Sequence, residues 1–268
     1  MNLHFLNADK SGEISTVELA DILENMNPNA KTLVSIMHGN NELGIINDLV
    51  SISEICRNTG ALFHSDTVQT IGKLSIDLQE LDIDFIAGSA HKFHGPKGTG
   101  FLYINNNHQI QPFVHGGGQE RQMRGGTENI AGVIGLATAL ELAVKNMEEK
   151  SSYITDLKNH MQDQLIQNFS DLSFNGDPKN GMYHVLSVLF PDSPRSELII
   201  PNLDIAGISA SGGSACTSGA ESESHVLKAI NPTELRKTVR FSFSALNTKE
   251  EIDHTIQVLK KVITKNIN

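Results

Sequence analysis

The first hundred residues alternate short apolar runs with helix-length amphipathic ones, and this alternation limits the possible folds more than any other feature. Residues 31–37 (KTLVSIM), 61–65, 84–89 and 100–104 are rich in β-branched and apolar side chains and read as buried strands. Ser15-Thr16-Val17-Glu18 is a capping-box pattern that opens a helix through about Met26. A second helix is predicted from about Asp48 to Asn58, with Gly60 placed to stop it. Leu49, Ile52 and Cys56 share one face of that helix, so Cys56 is expected in the core. Leu3-His4-Phe5-Leu6 reads as short and extended. Strands and helices at this spacing predict a largely parallel sheet with right-handed crossovers.

The second half is patterned differently. Residues 129–145 (NIAGVIGLATALELAVK) are apolar nearly all round and predict a buried helix. From Glu148 onward the helix becomes charged on one side and keeps a single stripe of Ile154, Leu157, Met161 and Leu165. A domain boundary is expected inside this long segment, giving a large domain over residues 1–147 and a small α+β domain over 148–268. Strands are predicted near 185–190, 208–210 and 238–244. Helices are predicted near 196–203, 222–230 and 249–263, the last opened by a second capping box at Thr248-Lys249-Glu250-Glu251.

Composition removes several function classes. The chain has 268 residues, enough for one large domain or two small ones with a real core. Its net charge is −10, and no Lys/Arg stretch is dense enough for a nucleic-acid footprint. No apolar run reaches transmembrane length and no signal peptide opens the sequence. Two distant cysteines make no disulfide framework, so a reducing cytoplasm is the expected compartment.

Chemistry concentrates at strand ends. Lys92 follows the strand at 84–89 within Gly88-Ser89-Ala90-His91-Lys92-Phe93-His94-Gly95. Open α/β sheets place ligands at such ends, and a partly dry lysine there can form a Schiff base with a carbonyl cofactor. The alternative is a lysine that simply snorkels to solvent. Asp66, in His64-Ser65-Asp66-Thr67-Val68-Gln69, could keep a ring nitrogen protonated, or could merely cap a turn. Asn40 and Asn41 end another strand in amides that can bond a ring hydroxyl or a carboxylate, or form an ordinary turn.

Glycine-rich 115–121 (HGGGQER) runs into 124–129 (RGGTEN) just before a helix, which suits a phosphate through backbone N–H groups and helix dipole. Cys216 lies in a run of small residues and is a better reactive thiolate than Cys56. His91-x-x-His94 suggests zinc only weakly, because no nearby Cys or acidic pattern completes a site.

Read together, the NNELG, HSDTVQ, AHK, HGGGQER…RGGTEN and SGGSACTSG segments resemble the pyridoxal-phosphate-dependent cysteine desulfurases of the NifS/IscS type, in the class-V aminotransferase group. The five occur in that family's order and spacing. The resemblance implies an α/β, aspartate-aminotransferase-like fold, with a mostly parallel sheet in an incomplete large domain and a small C-terminal α+β domain.

It implies pyridoxal 5'-phosphate as cofactor and Lys92 as the Schiff-base lysine. Asp66 would pair with the pyridine nitrogen and Gln69 with the ring oxygen. Ser89 and His91 would reach the phosphate, and Thr127 would cap a phosphate across a homodimer. Arg240 would clamp the carboxylate of L-cysteine with Asn41 assisting, Asn41 also touching the cofactor. Cys216 would take the sulfur as a persulfide and pass it to an iron–sulfur scaffold or a thiolation relay. No intrinsic metal is implied, and Cys216 is the residue that would meet a cluster on a partner.

Departures accompany the match. Ser222-Glu223-Ser224-His225 lacks the family's proline in this stretch. Family members also carry a segment before the point matching Met1, with a threonine-bearing phosphate loop and a ring-stacking histidine. An N-terminally truncated, weak catalyst is therefore expected. Two rival readings are a selenocysteine lyase and an inactive fragment that only dimerises or binds a partner.

Overall fold

The computed structural model describes residues 2–27, 29–212, 224–231 and 236–264. It divides into two compact units. An α/β unit holds Thr16–Gly39 and Asp48–Met147; an α+β unit holds Met1–Ser15, Asn40–Asn47 and Glu148–Asn268.

The α/β unit is built on four strands in the order β1 (Leu33–Ser35), β2 (Leu62–Asp66), β3 (Phe85–Ser89) and β4 (Gly100–Ile104). The first three run parallel, while β4 returns antiparallel beside β3, pairing Ser89 with Gly100 and Phe85 with Ile104. Its helices are α1 (Thr16–Glu24), α2 (Leu49–Thr59) and α3 (Ile130–Lys145). Both ends of α2 are capped, and the stop at Gly60 is the one the sequence predicts. Asp48 accepts from the amides of Val50 and Ser51 at 3.0 and 3.2 Å, satisfying donors that the first turn leaves open. Gly60 closes the helix at φ 72°, a backbone region that costs glycine nothing. Cys56 is buried on the inner face of α2, where loss of water and then the nearby Asp84 charge push its thiol up to about 11.

Strand register sorts the sheet into two faces. Val34, Phe63, Ser65 and Ile86 lie on one face and are buried. Leu33, Leu62, Phe85, Leu102 and Ile104 lie on the other, which stays open enough to leave Leu33 58% and Leu102 47% exposed. The prediction of a buried helix at 129–145 is corrected by α3. Only Gly132 and Ala143 are buried there, and Ile130, Val133, Ile134, Leu142 and Val144 are exposed. An all-round apolar helix reports what it could be packed against, and among the described residues its cover is on the side facing Ala90, Phe93 and Ile71.

The α+β unit pairs β5 (Ser173–Phe174), β6 (Val185–Phe190) and β7 (Lys237–Ser242) antiparallel, with β6 in the middle. Around them stand α4 (Met147–Asn168), α5 (Ile199–Ile205), α6 (His225–Ile230) and α7 (Lys249–Thr264). The predicted stripe is the core of α4: Ile154, Leu157, Met161 and Leu165 are all buried. The last three join Leu186, Val188, Leu203, Val239 and Leu259 in one apolar cluster. The capping box at α7 is reciprocal, Thr248 Oγ1 accepting from the Glu251 amide at 3.3 Å and Glu251 Oε2 accepting from the Thr248 amide at 3.1 Å.

Two strand expectations fail. Residues 208–210 form no strand, and among the described residues this stretch meets β7 through one bridge, Ser211 to Arg240. Residues 3–6 join no ladder; the nearest pairing is the bridge Ala8 to Ile14. Among the described residues no single helix is long and apolar enough to cross a membrane.

Candidate cofactor site

The carboxyl ends of β2 and β3 carry most of the chemistry in the α/β unit. Asp66 is the last residue of β2 and Ser89 the last of β3. The register Asp66 to Ala87, with alternation along β3, puts Asp66 and Ser89 on one side of the sheet. The carboxylate of Asp66 accepts the Val68 amide through Oδ1 at 2.9 Å, forming a turn over 66–70. Gln69 is half-buried in that turn. Ser89 Oγ lies 2.8 Å from His91 Nδ1, so a hydroxyl and an imidazole stand together at the end of β3.

Lys92 is half-buried in the short helical turn Ala90–Phe93, which follows β3 directly. That turn is pinned at both sides: Ala90 donates to Thr99 O at 3.0 Å and Gly95 donates to Ala90 O at 2.8 Å. Ala90 and Phe93 are buried against Ile71, Leu140 and Ala143, so the residues flanking the lysine are held by packing. Lys92 lies close enough for its charge to be felt by Lys73. Burial first, and then the Lys92 charge, lower Lys73 to about 8.

The glycine-rich loop is exposed along most of its length, Thr127 included. Its two halves cross so closely that a side chain on Gly125 would fall 2.7 Å from the Gly116 nitrogen. Asn129, not Thr127, caps α3, accepting the Gly132 amide at 3.0 Å.

Asn41 and Arg240 belong to the α+β unit and meet there: Arg240 Nη1 donates to Asn41 O at 2.8 Å. Arg240 sits in β7 opposite Ser187 of β6. The structure therefore groups Asp66, Gln69, Ser89, His91 and Lys92 in one unit, and Asn41 with Arg240 in the other. Cys216 lies outside the described residues.

Two residues in this region were not singled out by sequence reasoning. One is Lys73, whose only signal was its basic character. The other is His38, whose imidazole Nδ1 lies 2.9 Å from Thr70 Oγ1 and whose burial pushes it down to about 4.

The family model for class-V aminotransferases matches residues 1–255. The chain belongs to the class-V aminotransferase family. Within it, the similarity runs to the NifS/IscS cysteine desulfurases. The protein is 38% identical over 263 residues to the cysteine desulfurase IscS of Dictyoglomus turgidum, covering 97% of this chain and 66% of that relative. It superposes on a NifS-like protein from Rickettsia africae with a TM-score of 0.88 at 28% identity, covering 97% of this chain and 69% of the other. A second NifS-like structure matches with a TM-score of 0.85 at 32% identity, over 98% and 68% of the two chains. This family member spans about 65% of the length of the curated relatives it matches. A mixed, mostly parallel sheet in one unit and a small antiparallel sheet in the other match the pyridoxal-phosphate-dependent fold that the sequence resemblance implies.

Proposed function

We propose that this chain acts in cysteine desulfuration with pyridoxal 5'-phosphate, converting L-cysteine to L-alanine and leaving the sulfur on Cys216. The observation that carries this reading is the donor set at the ends of β2 and β3. An amine, a carboxylate and a hydroxyl–imidazole pair stand there, the last at 2.8 Å. These groups fit the cofactor's aldehyde carbon, ring nitrogen and phosphate respectively. Bound there, the cofactor would supply an electron sink for the charge left when a Cα–H bond breaks.

The chain's own residues then divide the work. Lys92 would hold the aldehyde carbon, and its free amine is the group placed to take the α-proton. Asp66 keeps one carboxylate oxygen in its turn and presents the other to the ring nitrogen. Gln69 bonds the ring oxygen. Ser89 and His91 hold the phosphate, with Thr127 reaching a phosphate in a second copy. Arg240 binds the substrate carboxylate, a task suited to the planar guanidinium, and Asn41 assists it and touches the ring.

The Cys216 thiolate attacks the substrate sulfur. The C–S bond breaks, its electrons stay on the β-carbon, and a proton delivered to that carbon together with return of the α-proton from Lys92 to Cα gives alanine. A persulfide remains on Cys216 for a sulfur-acceptor protein, such as an iron–sulfur scaffold or a thiolation relay, in the cytoplasm. The exposed apolar side of α3 supports a homodimer.

The test is a titration of the chain with pyridoxal phosphate, followed by borohydride reduction, peptide mapping and an assay for alanine formed from cysteine. Label on Lys92, with alanine formation lost in Cys216→Ser while the yellow colour persists, is expected. Label on Lys73 or Lys97 would overturn the site. Turnover of selenocysteine alone would move the reading to a selenocysteine lyase.

A further inference from the structure

We propose that His38 is a positioning residue for the Asp66–Gln69 turn and acts on it through Thr70. The proposal rests on the reading above, in which that turn presents Asp66 and Gln69 to the cofactor ring. The hydrogen bonds that carry it are all within the α/β unit.

The ladder between β1 and β2 continues beyond the strands. Ile36 donates to His64 O at 3.1 Å and His38 donates to Asp66 O at 2.9 Å. The His38 backbone is thereby fixed beside Asp66. Its ring then lies against Thr70, Nδ1 to Oγ1 at 2.9 Å. Thr70 in turn sends its amide to Thr67 O at 2.9 Å and its hydroxyl to the same oxygen at 3.2 Å. Thr67 closes the chain onto β3, its amide and hydroxyl donating to Ala87 O at 3.0 and 2.9 Å. The ends of three adjacent strands are thus tied by one run of side chains, with Asp66 inside it.

Burial gives this network its stiffness. His38 is 9% exposed, and Thr67 and Thr70 are 0% exposed. A buried polar group that loses its partner cannot turn to water, so the arrangement resists change more than a surface contact would. Burial also keeps the ring neutral down to about pH 4. His38 therefore works as a shaped hydrogen-bonding wedge and not as a charge. Asparagine, whose side-chain amide reaches a similar point, should replace it. Leucine, which fills the space without a hydrogen bond, should not. At Thr70, serine should serve and valine should fail.

The experiment compares His38→Asn, His38→Leu, Thr70→Ser, Thr70→Val and the double variant His38→Leu/Thr70→Val in the chain as it stands. Amide hydrogen exchange is read at Val68, Gln69 and Thr70 without cofactor. Affinity and absorbance maximum are read on titration with pyridoxal phosphate. His38→Leu and Thr70→Val should each speed exchange at 68–70 by about tenfold and weaken cofactor binding by a similar factor, the loss expected for one buried hydrogen bond. Exchange in β6 and β7 should not change. His38→Asn and Thr70→Ser should return both readouts toward the parent, and the double variant should be no worse than either single one.

Unchanged exchange in the leucine and valine variants, failure of the conservative pair to rescue, or additive losses in the double variant would each overturn the proposal. If His38→Leu does not fold, the Thr70→Val and Thr70→Ser pair decides it alone. If no variant and not even the parent binds pyridoxal phosphate, the cofactor reading fails while the exchange data still judge the positioning role.

Discussion

In the α+β unit every residue of β6, from Val185 to Phe190, is buried, whereas in the α/β unit β1 runs exposed, buried, exposed across Leu33, Val34 and Ser35. The difference lies in what covers each strand. One face of β6 points Leu186, Val188 and Phe190 into the cluster built by α4, α5 and α7. On its other face Val185 packs on Gly44, and Ser187 receives the Asn175 amide at 3.1 Å. The β1–β4 sheet has one buried face and one open face. Apolar residues occur on both, so the number of apolar residues does not measure how much each contributes. Their contribution depends on whether the same chain supplies neighbours.

The sharpest way to break this contrast is to truncate matched leucines. Leu157→Ala removes a fully buried side chain and should cost about 3–5 kcal/mol in denaturant unfolding. Leu33→Ala, on the open face, should cost less than about 0.5 kcal/mol. Similar losses at the two sites would mean that the open face is covered in solution.

Acid should come next in size, and it acts on the α/β unit through His38. Below pH 6.5 the unfolded imidazole takes a proton that the folded one refuses until about pH 4. The unfolded state then binds more protons, so stability falls as pH drops through that window. A shift of this size corresponds to about 3 kcal/mol by pH 4. Stability of the parent and His38→Asn measured from pH 7 to 4 should diverge, the parent losing more. Parallel curves would show that His38 titrates normally in the fold.

Below these come the helix caps, and here the two units should agree. Asp48→Ala at α2 and Thr248→Ala at α7 each remove a side chain that accepts helix-start amides. Each should cost about 1 kcal/mol. Thermal unfolding that showed a much larger loss at one of them would mean that the cap is coupled to core closure.

The caps were also the most legible part of the sequence. Gly60 and the Thr248–Glu251 pair act through neighbours within a few residues, so spacing alone reveals them. The strands at 100–104 and 185–190 were likewise readable, because continuous apolar and β-branched runs of that length have few alternatives. The helix at α3 was placed correctly but its surroundings were not. An apolar residue in a sequence shows affinity for a nonpolar neighbour, while Ile130 and Leu142 stay exposed among the described residues.

The candidate site divides in the same way. Lys92, Asp66 and Ser89 could be found because they stand at strand ends. His38 and Thr70 could not, because they are 32 residues apart and meet only through the register of β1 beside β2. The weight given to Ile208 and Ala210 as a strand failed for a related reason: so short a run declares itself only through its partner, here a single bridge at Ser211.

The antiparallel return of β4 has a consequence for the order in which the site forms. β3 and β4 are neighbours in sequence, and the Ala90 to Thr99 hydrogen bond closes a loop of only a few residues around Lys92. Asp66 depends instead on β1 and β2, whose pairing must wait for a crossover through α2. Short loops close with little entropy loss and form early, while crossover pairings come later. The loop that carries Lys92 should therefore close before Asp66 is in place, with packing on Ile71 and α3 following. A chain caught partly folded would already present the lysine.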